Sequence, residues 1–327
     1  MTYRIYGSEL SPYSVKVRSY FRYRGLPHEW ILRSPAVQDE FQKYAKLPLV
    51  PLVVTPKGEG IQDSTPIIER MEASGPVLTP ADPALAFLSA LLEEYGDEWG
   101  NKWMFHYRWR YQPDTWATAE RIALQMMGAQ GPLAVAQART AVAERMTGRI
   151  GFVGSNPVTE PLIEASFRRA VDLLESHLAT RPYLLGGRPS MADLGIWAQL
   201  YEAATDPTPG AILRASAPKV MKWVQRMLSP REEGPFEDWK ALAPGLVPLL
   251  KEEVGTLFLP WSTANAAAIA AGDKSFETTL GGARWTQEPQ KYHARSLAEL
   301  RRKYAAAASA PGLKDTLREA GCLEYLE

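Results

Sequence analysis

The stretch TYRIYGSELSPYSVKVRSYFRYRG, residues 2–25, decides the fold. Residues 2–7 alternate β-formers and end on the breaker Gly7, which predicts a short strand. Ser11 precedes Pro12, and proline suits the first position of a helix because its missing N–H would have no partner there. Val15, Ser19 and Tyr23 recur four apart, Val17, Tyr20 and Phe21 fill the flanks, and Gly25 follows as a helix-ending residue. A strand therefore runs through a short loop into a helix capped by Ser11. That places the Ser11 oxygen at the positive end of the helix.

Working outward, HEWIL at 28–32 reads as a second strand, and 35–46 as helical or irregular. LPLVPLVVTPKGEGI at 47–61 reads as strand, turn, strand. Asp63-Ser64 follows, and Ile67, Ile68 and Met71 share one face of a helix. This order builds a small mixed sheet with helices packed on it. From residue 83 the strand signals nearly vanish. Helical periods recur at 84–99, 116–127, 132–148, 159–179, 190–204, 217–227 and 247–258. SMAD at 190–193 fits a capping box with Asp in place of the usual Glu or Gln.

The last stretch differs again. ANAAAIAAG at 264–272 reads as a small-residue helix, and FETTL-GG-ARWTQ at 276–287 as a two-residue hairpin. Ser296 with Glu299 predicts the start of a last long helix to about Ala308. The chain divides into 1–76, an α/β domain; 83–258, an all-α domain; and 259–327, an extension packed on the helical domain. No internal repeat stands out.

Composition sets the outer limits. Of 327 residues 46 % are hydrophobic and 23 % charged, the balance of a globular chain. Thirty-seven basic residues offset thirty-seven acidic ones, without the basic excess expected of a nucleic-acid or anionic-membrane binder. Cys322 is the single cysteine, so no intrachain disulfide and no CxxC motif exists. His28, His106, His177 and His293 are scattered and give no metal-ligand spacing. The longest nearly apolar run, 47–54, falls far short of the ~20 residues a membrane helix needs. The expectation is a cytoplasmic protein.

Strand–SPYS–helix, then LVP before a strand, then DST at a helix start, then an all-helical region with LLGGRPSMADLGIWAQL at 184–200, resembles the cytosolic glutathione S-transferase family, in its serine type. The resemblance covers 2–75 and 160–205; beyond 260 no family template applies. It implies a thioredoxin-like N-terminal domain joined to an all-helical C-terminal domain, with glutathione as co-substrate. It also implies a homodimer and a small apolar electrophile as the second substrate.

A free thiol with a pKa near 8.5 is mostly protonated at neutral pH, and the thiolate is the nucleophile. The site must therefore favour the anion. By the resemblance, the Ser11 hydroxyl donates to the thiolate sulfur. The backbone of Val50, ahead of a cis Pro51, holds the cysteinyl unit. Asp63 takes the γ-glutamyl ammonium and Ser64 its carboxylate. The electrophile pocket lies between the domains, where Trp99, Trp103, Met104, Phe105, His106, Trp109 and Tyr111 crowd together. Trp103, His106 and Tyr13 are the expected lining residues.

Ser14 and Tyr6 are rival hydroxyls, with Ser14 expected to bond the helix backbone and Tyr6 to be core or rim. The sequence departs from the family just before Val50, where a polar or basic residue often holds the glycine carboxylate and Leu49 stands instead; Lys46 is the nearest substitute. Two other readings stay open, a glutathione-dependent lyase or dehalogenase of the same fold and a non-catalytic binding module. Disulfide reductase chemistry is disfavoured, since positions 11 and 14 carry no cysteine.

Overall fold

The computed structural model describes residues 2–75 and 77–327. Met1 and Pro76, the expected ends of the first domain, lie outside the described residues.

Strand β1 (Tyr3–Gly7) leads into helix α1 (Pro12–Tyr23), then β2 (His28–Leu32), α2 (Gln38–Gln42), β3 (Leu52–Val54), β4 (Gly60–Gln62) and α3 (Ser64–Glu72). The sheet order is β2-β1-β3-β4, with β1 parallel to β2 and antiparallel to β3. Strand alternation gives the sheet two faces. Ile5 and Val53 pack with Val15, Val17 and Phe21 on the α1 side. Tyr6, Leu52 and Val54 pack with Phe41 on the other. Gly25 ends the first helical stretch at φ 62°, a left-handed position that suits glycine.

The helical part holds α4 (Pro83–Glu94), α5 (Asn101–Arg110), α6 (Gln112–Met127), α7 (Pro132–Thr147), α8 (Glu160–His177), α9 (Met191–Thr205), α10 (Pro207–Ser216), α11 (Pro218–Arg226) and α12 (Trp239–Leu249). A wide π-helical turn, Tyr95–Gly100, joins α4 to α5. The turn and α9 touch backbone to backbone: a Cβ on Gly96 would stand 2.4 Å from the Ile196 nitrogen, and one on Gly195 would stand 2.5 Å from the Glu93 oxygen. This close approach sets α4 against α9. The Ser190/Asp193 capping box is present, and Asp193 also accepts from the Leu184 N–H and the Trp223 indole. With its charge buried, the Asp193 carboxyl is pushed up to about 6.

The extension comprises α13 (Leu259–Ala271), the hairpin β5 (Phe276–Leu280) and β6 (Ala283–Gln287), α14 (Lys291–Ala307), α15 (Leu313–Glu319) and α16 (Leu323–Leu326). Gly281 and Gly282 both have positive φ, as a two-residue hairpin of the primed type requires. The long helix starts at Lys291, so Ser296 lies inside it and is not its cap; the Ser296 hydroxyl instead reaches Glu94. The hairpin and α13 close over Lys102 of α5. Its ammonium nitrogen lies 3.5 Å from the centroid of the Trp261 ring, and burial drives its pKa well below the usual lysine value. One continuous apolar core joins the sheet, the helices and the extension. No described helix is long and apolar enough to cross a membrane.

Candidate functional site

The site follows from strand register. Tyr6, Leu52 and Gln62 stand in one row across β1, β3 and β4. Beyond Tyr6 the chain runs through Gly7 to Ser11; just before Leu52 lie Val50 and Pro51; just after Gln62 come Asp63 and Ser64. Adjacent strands lie about 4.8 Å apart, so these three segments meet at one end of the sheet. α1 and α3 both begin there, with Ser11 and Asp63 as their N-cap residues. Two helix N-termini with unpaired N–H groups thus face one end of the sheet, a setting that favours anions.

Ser11 is half-buried, and its Oγ accepts from the Ser14 N–H at 3.3 Å. A hydroxyl that accepts one bond still has a proton to donate. The Val50–Pro51 bond is cis. Neither the N–H nor the C=O of Val50 bonds another described residue. The loop ahead of it is held by Gln62. Its Oε1 accepts from the N–H groups of Lys46 and Leu47, and its Nε2 donates to the carbonyls of Leu47 and Leu49. Ser64, buried, is the first residue of α3. Asp63 sits at φ 78°, an uncommon backbone setting for a non-glycine residue. Burial raises its carboxyl pKa, against a hydrogen bond from the Tyr292 hydroxyl to Oδ2 at 2.6 Å.

Beneath this surface lies a buried charged cluster. Lys16 of α1 bonds Glu93 of α4, Asp97 of the wide turn at 2.5 Å and the Thr65 hydroxyl at 3.0 Å. Burial works against the Lys16 charge, but the two carboxylates overcome it and the net shift is upward. Burial pushes Asp97 up to about 7 despite Lys16. The cluster fastens the first turns of α1 and α3 to the helical part, which fixes the two N-termini relative to each other.

The expected electrophile wall is a different matter. Trp103 is 1 % exposed and His106 0 %, so neither lines an open cleft. The Trp103 and Trp99 indoles both donate to the Ser166 hydroxyl, at 2.9 and 2.8 Å, and Ser166 donates on to Glu253. His106 lies between the Ser155 hydroxyl and Glu164. On the same helix Arg108 faces the other way, donating to the Leu10 carbonyl and pairing with Glu202 and Asp206. The side of α5 nearest Ser11 thus carries an ion pair, and the aromatic side packs on α8. Tyr13 does lie beside the site, with its hydroxyl donating to the Asp97 carbonyl at 3.0 Å.

Of the rivals to Ser11, Tyr6 is wholly buried on the opposite face of the sheet with Phe41. The Ser14 hydroxyl, expected on the helix backbone, is instead buried without a partner among the described residues.

Gln62, Lys16 and Tyr292 were not foreseen. Gln62 stands directly before the Asp-Ser step, and a polar side chain closing a strand beside an exposed loop was an available signal. Lys16 interrupts the apolar face of α1, the one local sign of a buried ion pair.

Two family models match the chain: the glutathione S-transferase N-terminal domain over residues 5–76 and the C-terminal domain over 135–226. The chain is 25 % identical over 229 residues to an isoprene-epoxide–glutathione S-transferase of Rhodococcus sp. (strain AD45), covering 67 % of this chain and 92 % of that protein. Among solved structures it is similar to a glutathione S-transferase of Methylobacterium radiotolerans in complex with glutathione sulfonate, at 19 % identity, 73 % of this chain, 99 % of that chain and TM-score 0.42. A glutathione S-transferase of Rhodospirillum rubrum F11 is 16 % identical, covering 90 % of this chain and 99 % of that one at TM-score 0.44. The two family models together span half of the sequence, in the order in which the sheet and the helices follow each other. The chain therefore belongs to the glutathione S-transferase family, enzymes with glutathione as co-substrate.

Proposed function

We propose that Ser11 donates its hydroxyl to the glutathione sulfur and, with the α1 N-terminus, stabilises the thiolate for attack on a small apolar electrophile. The Val50 backbone pairs with the cysteinyl unit as an added strand. Ser64 and the α3 N-terminus receive the γ-glutamyl carboxylate, and Asp63 its ammonium. The observation that supports this reading is the shared end of the sheet, where two helix N-termini flank Val50, whose N–H and C=O have no partner among the described residues. Glutathione carries two anionic groups that such an arrangement suits, the ionised sulfur and the γ-glutamyl carboxylate. The relative named for isoprene epoxide makes a small alkene epoxide the first electrophile to try. A two-fold dimer in the cytoplasm belongs to the same proposal, since C2 pairing is the commonest assembly, and light scattering tests it.

Ser11→Ala is the direct test. A hydrogen bond to a charged group is worth about 1.5–3 kcal/mol, so kcat/KM falls about 10- to 150-fold. The lost cap also lowers stability by about 1 kcal/mol, so the activity is read well below the unfolding midpoint. A Ser11→Ala enzyme with unchanged kcat/KM and an unchanged thiol pKa in the bound state removes Ser11 from the reaction.

A further inference from the structure

The C-terminal extension reaches the glutathione end of the sheet. α14 lies along α3 and α4, tied by Lys303 to Glu69 at 2.6 Å and by Ser296 to Glu94. Its first turn is anchored by His293, which is buried with its ring 4.9 Å from that of Trp261. The next residue back is Tyr292. The residue is 54 % exposed, yet its hydroxyl donates to Asp63 Oδ2 at 2.6 Å. An exposed tyrosine held in one pose by an anchored neighbour, with its single proton on a carboxylate at a helix start, is a built contact.

The Tyr292 bond engages one oxygen of Asp63, Oδ2. A carboxylate has about four acceptor sites, so it can hold a tyrosine hydroxyl and a substrate ammonium together. With one oxygen fixed by the tyrosine, the carboxylate loses the rotation about its last bond. The second oxygen then keeps one direction beside the start of α3, where Ser64 is the next residue.

We infer that Tyr292 is a positioning residue for the γ-glutamyl end of glutathione, so that the extension completes a site otherwise built by the sheet. The inference rests on the proposed role of Asp63 and Ser64. Tyr292 acts through Asp63 and does not touch the sulfur. Its removal therefore loosens glutathione binding without changing the chemical step.

The experiment is a double-mutant cycle on the full-length enzyme with Tyr292→Phe, Asp63→Asn and the pair, read as KM for glutathione and kcat at saturating glutathione. Tyr292→Phe keeps the ring and the helix and loses only the hydroxyl's bond, so the midpoint of thermal unfolding falls by only a few degrees and the enzyme stays folded. The expected result is a rise of about three- to tenfold in glutathione KM with kcat and electrophile KM unchanged, the range of one ordinary hydrogen bond, because Tyr292 acts through Asp63 and not on the substrate itself. In the Asp63→Asn background the same change has less than about half that effect, because the two groups act as one unit. Equal effects of Tyr292→Phe in both backgrounds overturn the inference, as does an unchanged KM. A lowered KM overturns it too, since the tyrosine would then compete with substrate. If Asp63→Asn itself leaves glutathione KM unchanged, the failure lies in the assignment of Asp63, and the inference falls with it for that separate, visible reason.

Discussion

Two regions of this molecule invite the same guess and answer it differently. The stretch 99–111 is dense in aromatic residues, the usual material of a ligand pocket. The stretch 46–64 is short of them and carries two exposed leucines, Leu47 and Leu49. Yet the aromatic stretch is closed. The Trp99 and Trp103 indoles share one serine hydroxyl, that serine bonds a buried glutamate, and Tyr95 and Arg169 complete the glutamate's partners. The loop 46–64 is open where it counts. Val50 offers both backbone groups, and Ser64 starts a helix whose first N–H groups are free of helix partners. A site here is marked by polar groups left available, and a core by polar groups used up.

The comparison breaks first at Trp103. If it is core, Trp103→Ala costs about 3–5 kcal/mol of unfolding free energy in a denaturant titration. The glutathione KM of the protein that remains folded then stays put. Trp103→Phe keeps the ring and loses one indole hydrogen bond, so it costs about 1 kcal/mol. A Trp103→Ala protein of full stability and altered electrophile KM would return the residue to a pocket wall.

The helical core beyond that stretch, at the end of α8, predicts a pH signature. His177 is buried, its Nε2 bonded to the Leu184 carbonyl and its Nδ1 facing the Arg181 guanidinium at 3.2 Å. The tautomer follows: Nε2 donates and Nδ1 accepts. Burial first, and Arg181 as well, lower its pKa from 6.5 to about 4. The unfolded chain therefore binds the proton more tightly. This stabilising contribution is complete above pH 6.5 and is lost as pH falls through the window down to about 4. It amounts to a quantity on the order of 3 kcal/mol. His177→Gln should flatten the stability profile across that window. A wild-type slope that survives the substitution assigns the effect to other groups, such as His106, whose pKa burial also lowers.

Local chemistry makes much of this legible in the sequence. The proline after Ser11, the Gly281-Gly282 pair and the Ser190–Asp193 spacing each fix backbone within four residues, and each appears as read. The order of elements along the chain and the mixed character of the sheet followed from the same kind of signal; the sheet order β2-β1-β3-β4 came only with the structure. Destinations of side chains were less legible. Helical period tells which residues share a face, not what that face meets. The wide turn at Tyr95–Gly100 shifts the phase between α4 and α5, so the faces of the two helices cannot be extrapolated across it. Contacts made at long sequence range carried no signal at all. Tyr292 and Asp63 stand 229 positions apart, and nothing around either names the other.

The smallest effect probes the open region at its plainest departure from the family. Leu49 is 62 % exposed where a polar residue often stands, so no side chain at that position can pair with the glycine carboxylate of glutathione. Lys46 is exposed, and Gln62 pins its backbone N–H, so its ammonium swings on a fixed stem. An exposed ion pair of this kind is worth about 0.2–1 kcal/mol. Lys46→Ala should therefore raise glutathione KM only about twofold. The difference should vanish near 1 M salt, where the screening length is about 3 Å. Equal KM values at low salt would mean that the glycine end is held by backbone and by the apolar surface of Leu47 and Leu49. In that case the loop that Gln62 braces, rather than any charge on it, is what this protein uses to seat that end of the tripeptide.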